Sequence, residues 1–172
     1  MNERESTGKM LLAGMLGILL AVALLYAMVR VVLSSDERTR QQGTQTEVLA
    51  QSEYLVEVSK YDDQILEALN GMSALFVEPR LNDEDWLFNL GRCIGKIQRA
   101  HLGLMALKPP PEMAEMHAAL VAATQDYYDA MDLLADAVAE LDFGKMDRAT
   151  ALMKSGDLKM QEATRLLKEA LR

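Results

Sequence analysis

The stretch HAALVAATQDYYDAMDLLADAVAELDFGKMDRATALMKSGDLKMQEATRLL, from His117 to Leu167, decides the fold. His117, Leu120, Thr124, Tyr127, Met131, Leu134, Val138 and Leu141 follow one another at steps of three and four, the spacing of one helix face. After Asp142-Phe143-Gly144, which reads as a turn, the stepping resumes at Met146, Ala149, Met153, Gly156, Met160, Ala163 and Leu167. Two striped helices joined by so short a link must lie antiparallel. In the second of them Ala149, Gly156 and Ala163 alternate with methionines, which allows close approach to its neighbours; alternatively, Gly156 marks a kink.

The same period extends upstream. A helix over roughly 45–77 carries Val48, Leu55, Val58, Ile65, Leu69, Met72 and Phe76, with Gln51 and Asp62 as polar members of the seam, and Pro79 marks its end. Asn82 with Asp85 caps the next helix, whose seam is Leu87, Leu90, Ile94, Ile97, His101 and Leu104. Lys108-Pro109-Pro110-Pro111 stops it, and because proline is tolerated in a first turn, the third helix can begin near Pro111. None of the four segments sustains the two-residue alternation of a strand. The expected class is all-α, an up-down-up-down antiparallel four-helix bundle over 45–172.

Composition agrees: half of the 172 residues are hydrophobic but only 5% are aromatic, a balance that suits Leu/Ala/Met-rich helices better than sheets. Met10 to Val29 is a different object, twenty residues without a charge between Lys9 and Arg30. At about 1.5 Å per residue such a helix covers the roughly 30 Å of bilayer hydrocarbon. The run is longer than the apolar region of a cleaved signal peptide, and Ala21-Val22-Ala23 lies inside it rather than after it. An uncleaved signal anchor over 10–33 is therefore expected, behind a short tail at 1–9. Lys9, Tyr26 and Arg30 serve as interfacial anchors, and the lipid bilayer is the first partner. Ala13, Gly17 and Ala21 share one face, at a spacing that lets two such helices associate, which predicts a homodimer. Residues 34–44 read as a juxtamembrane connector with two capping boxes, Ser34 with Glu37 and Thr44 with Glu47, on either side of Gly43. The other reading is a single helix running from bilayer to body, softly interrupted at Gly43.

The net charge of -8 is unevenly placed. Residues 1–35 hold three basic and two acidic side chains, so the remainder holds 15 basic and 24 acidic ones. An acidic body without an Arg/Lys stripe excludes nucleic acid as an expected partner. Flanking charges barely separate the two topologies, but a nine-residue tail leaves little room for a cytoplasmic module. The body is expected outside the cytoplasm, in contact with other membrane or envelope proteins.

One constellation could carry chemistry. Folding the second and third helices about residue 109 sets His101 beside His117, each eight residues away. Folding the other pairs brings Asp62 and Glu169 to the same layer. Two imidazoles with a carboxylate suit zinc or a similar ion, so His101, His117, Asp62 and Glu169 form a candidate metal set. The competing reading is a pair of ordinary hydrogen-bonded histidines near a bundle end. Neither histidine has the preceding Glu of a di-iron motif, and the lone Cys93 supplies neither a haem attachment nor a disulfide. No cofactor and no catalytic residues are expected. The acidic run at 82–85 is explained by a helix N-terminus, and the methionines by core packing.

Leu104, Leu107-Lys108-Pro109-Pro110, His117, Leu120, Tyr127 and Leu134 together resemble small membrane-anchored or secreted bacterial helical-bundle proteins of uncharacterised function. The resemblance covers 45–172 and implies an extracytoplasmic bundle, with no activity attached. The chain is also similar in plan to the helical sensor domains of chemotaxis receptors, although it has neither a second membrane run nor a signalling module. The functional expectation is a non-enzymatic interaction or accessory module, with a ligand- or metal-binding sensor as the alternative.

Overall fold

The computed structural model describes residues 45–171, and among them it is all-helical. The elements are α1 (Gln45–Val77), α2 (Glu84–Ala106), a short 3-10 turn (Pro111–Met113), α3 (Ala114–Glu140) and α4 (Phe143–Ala170). α1 packs on α2, α2 on α3 and α3 on α4. Contacts descend along one helix as they ascend along the next. Between α1 and α2, Glu67 meets Lys96 and Tyr61 lies against Gly103. Between α2 and α3, Gln98 meets Asp132 and His101 meets Thr124. Between α3 and α4, Tyr127 meets Asp157 and Asp136 meets Lys145. Consecutive helices are therefore antiparallel. No helix among the described residues is long and apolar enough to cross a membrane. The expected span at 10–33, with Lys9, Tyr26, Arg30, Ala13, Gly17 and Ala21, lies outside the described residues, as does the connector at 34–44.

The turns correct the sequence reading in detail. Asp83, not Asn82, caps α2: its carboxylate accepts from the Trp86 N–H at 3.1 Å, and Glu84 and Asp85 complement the helix dipole. Trp86 then takes the buried place expected of Leu87, which is 39% exposed. The indole N–H donates to the Leu75 carbonyl at 3.0 Å, and its ring meets Phe76 edge-on at 5.6 Å. A large ring with a polar edge can close a helix hairpin in a way a leucine cannot.

The last turn is sharper than expected. α3 ends at Glu140, Leu141 adopts the left-handed conformation (φ 54°), and Asp142 caps α4 through the Lys145 N–H at 3.1 Å. Gly144, expected in the turn, is already helical. The Asp142 N–H returns to the Ala137 carbonyl at 3.0 Å, closing α3 in the manner usually assigned to glycine. Leu141 is exposed as a result, although the periodicity placed it in the seam.

Val48, another expected seam position, is 46% exposed at the start of α1, and Gln51 and His117 are half-buried; the remaining seam positions lie inside. Every seam position of α4, and those of α3 from Leu120 to Val138, are buried. Gly156 marks close packing rather than a kink: a Cβ there would stand 2.6 Å from the Tyr127 ring and 3.0 Å from the Ala123 carbonyl oxygen.

Candidate functional site

The helical stepping that builds the core also carries polar side chains into it. Asp62 on α1, His101 on α2, Thr124, Asp126 and Tyr127 on α3, and Asp157 on α4 are all buried. Tyr127 has no exposed surface, and its hydroxyl donates to Asp157 Oδ1 at 2.8 Å. Burial lifts the Asp157 pKa to about 6, against the opposing pull of that hydrogen bond. Burial, followed by the carboxylates of Asp157, Asp62 and Asp126, drives the Tyr127 phenol upward. Asp126 is compensated by Lys159, whose ammonium stands 2.7 Å from its carboxylate.

Asp62 is not compensated. It is 2% exposed, and neither carboxylate oxygen has a hydrogen-bond partner among the described residues. Burial first, and the neighbouring Asp63 second, push its pKa up to about 8. A carboxyl group in such a place keeps its proton at neutral pH because ionisation there would leave an unpaired charge in a poorly polarisable core.

The two histidines occupy separate settings. His101 Nδ1 lies 2.9 Å from Thr124 Oγ1, and that hydroxyl lies 3.1 Å from the Val121 carbonyl. Both contacts are satisfied when Nδ1 carries the ring proton and Thr124 donates its own to Val121. Burial lowers the basicity of His101, outweighing Gln125 and Asp129. His117 is half-buried, with Nδ1 2.8 Å from the Tyr54 hydroxyl, and burial lowers its basicity too. Since burial raises the Tyr54 phenol, Tyr54 donates and the neutral imidazole accepts.

The candidate metal set does not assemble. Among the described residues no group of three or more His, Cys, Asp or Glu side chains could hold a metal ion. Glu169 is exposed and held by Arg165 on its own helix. The histidines separate because the extended Leu107 and the 3-10 turn move the pivot of the α2–α3 hairpin. It falls midway between His101 and its partner Thr124, not at residue 109. Sequence reasoning placed Asp62 and His101 inside, and it missed Tyr54, Asp126, Asp157 and Lys159. The signal available was Tyr127, since a buried seam tyrosine needs a partner for its hydroxyl. Cys93 is half-buried against Gly71, and burial holds its thiol protonated. Comparison of the chain with family models, curated proteins and solved structures finds no match.

Proposed function

We propose that the chain is a single-pass membrane protein whose acidic bundle works outside the cytoplasm as a non-enzymatic interaction or accessory module. The observation that carries this reading is the uncharged run from Met10 to Val29 standing directly before a bundle whose polar interior is largely turned to internal hydrogen bonds. A bundle organised in this way offers its outer faces to partners and needs the run only for placement. Protease added to intact cells tests the topology: the bundle is expected to be digested, and a bundle that survives until the cells are lysed overturns the outward assignment.

One observation favours the second reading, a sensor-like bundle. Asp62 is a buried acid without a partner among the described residues, and its charge state can change with a proton near neutral pH. A melting temperature that responds to pH between about 7 and 9 and loses that response in Asp62→Asn supports that reading, and a response unchanged in the variant removes it.

A further inference from the structure

One face of α2 is left largely uncovered by the described residues, with Gln98 bonded to α3 at its edge. Phe88, Gly91, Gly95, Gln98, Leu102 and Met105 step by three and four along it, the spacing against which a second helix packs. This seam is separate from the core seam of the same helix, which runs through Leu90, Ile94, Ile97 and Leu104. Phe88, Leu102 and Met105 are 66%, 56% and 52% exposed. A Cβ added at Gly91 would meet nothing within 4 Å, so another backbone has room to approach. At Gly95 the nearest group is the Arg99 guanidinium, the end of a long arm that can swing aside.

The charges beside this seam are sorted by side. Toward α1 stand Arg92 and Lys96, with Lys96 paired to Glu67 of α1, and Arg99 folds over Gly95 at the seam. Arg92 and Arg99 make no salt bridge among the described residues. Toward α3 runs a row of acids, Asp129, Asp132 and Asp136, again at steps of three and four. Asp136 is shared with Lys145 of α4, whereas Asp132 and Asp129 are bonded by the neutral amides of Gln98 and Gln125 and have no salt-bridge partner among the described residues. The bond from Gln98 to Asp132 sets that row level with the two arginines.

The geometry points to a second copy of this chain, standing parallel to the first, as the occupant of this face. A twofold axis along α2 lays the seam on its own copy. It also turns the basic side of each α2 toward the acidic α3 row of the other, at both flanks at once. An antiparallel pair would instead set Arg92 and Arg99 against the same residues of the partner, and like charges oppose it. Parallel is also the orientation of two chains held in one membrane, and to that extent the inference rests on the anchored reading above. Confinement to a bilayer raises effective concentration, so a face one helix wide suffices.

Disulfide trapping of the full chain in membranes of the expressing cell tests this. In a Cys93→Ser background, Phe88→Cys and Leu102→Cys are each expected to form a self-linked dimer under mild oxidation. Leu158→Cys, at a position 67% exposed on α4, is expected to remain monomeric. In an antiparallel pair Phe88 would face Met105, and neither position would link to itself. Absence of dimer at both α2 positions overturns the proposal, as does an equal yield at 158. Arg92→Glu with Arg99→Glu should lower the yield about fivefold, the equivalent of roughly 1 kcal/mol, and adding Asp129→Arg with Asp132→Arg should restore it. A yield indifferent to the first pair also overturns the proposal. Sedimentation is scored separately: a chain left in the supernatant refutes the anchor, and trapping is then read on that soluble fraction.

Discussion

The α3–α4 hairpin and the α1–α2 hairpin are built from the same helical period, yet they treat polar groups differently. In the first, Ala123, Ala130 and Ala137 on α3 and Ala149, Gly156 and Ala163 on α4 are all buried. With Gly156 set against Ala123 the backbones come close, and side chains reach across: Tyr127 to Asp157, Lys159 to Asp126. In the second, bulkier residues such as Leu55, Ile65, Leu69 and Ile97 fill the interior, Asp62 finds no partner among the described residues, and α2 turns a second apolar seam outward. Small residues let one hairpin satisfy itself. The other keeps an unpaired acid inside and an uncovered face outside.

The largest expected effect tests whether close packing is what distinguishes the first hairpin. Gly156→Ala places a methyl between the Tyr127 ring and the Ala123 carbonyl, at 2.6 and 3.0 Å. Tyr127 is fully buried and tied to Asp157, so it cannot withdraw. A loss of about 3 kcal/mol in denaturant unfolding is expected, despite the roughly 1 kcal/mol gained in helix propensity. Gly103→Ala in the other hairpin meets the Tyr61 ring at a nominally closer 2.1 Å. Tyr61 is only half-buried and can rotate outward, so this change should cost about 1 kcal/mol or less. Equal losses would break the distinction.

The unpaired acid gives the next effect. Asp62 in the folded chain titrates at about 8, far above the unfolded value of about 3.9. Its contribution to stability is therefore complete below about pH 4 and is lost as the pH rises through 8. Asp157 has largely finished its own transition by pH 7, since it titrates at about 6. The lowered histidines change their contribution only below their unfolded value of about 6.5. Between pH 7 and 8 Asp62 governs the slope, and stability should fall by about 1 kcal/mol over that unit. Asp62→Leu should flatten the slope and raise stability at pH 8 by about 2 kcal/mol. A variant as steep as the parent would assign the slope to another group.

These contrasts also show how far the sequence could be read. Periodicity was enough for the helices and for the middle of each seam, because burial of one stripe per helix is a property of each segment alone. Val48, Leu87 and Leu141, seam positions at helix ends, are exposed. α1 ends at Val77, where Pro79 places its end. Register was harder, because it depends on turns whose geometry is decided by single side chains. Trp86 displaced Leu87 through one indole hydrogen bond. Leu141 took the left-handed turn conformation, one residue before the turn expected at Asp142-Phe143-Gly144. The proline-rich turn moved His101 away from His117 by a shift of pivot that no periodic pattern records. The candidate metal set depended on that register, so it failed where the helices themselves did not. Asp62 was legible as a polar seam position, but its isolation follows from what the facing helices lack.

Two tyrosines compare a closed polar pair with a half-open one. Tyr127→Phe leaves the Asp157 carboxyl buried without its donor, and a loss of about 2 kcal/mol is expected. Tyr54→Phe frees only the half-buried His117, which water can reach, so about 0.5–1 kcal/mol should go. Proton NMR of the His117 ring adds a sign to the second case. Without the Tyr54 hydroxyl as donor, the neutral ring loses a stabilising bond, and its pKa should move up toward the ordinary value. A downward movement would mean that Tyr54 accepts rather than donates.

The smallest effect on folding belongs to the outward seam. Phe88→Ser removes a ring that is 66% exposed, so it takes little from the core and should alter unfolding by less than about 0.5 kcal/mol. The substitution sharpens the contrast because a seam that contributes nothing to the fold has another reason to be apolar, and exposed apolar faces of this length mark contact with a partner. A large loss of stability would instead show that Phe88 supports the α1–α2 hairpin from outside. The seam would then belong to the fold, and the two hairpins would differ only in the acid that one of them leaves unpaired.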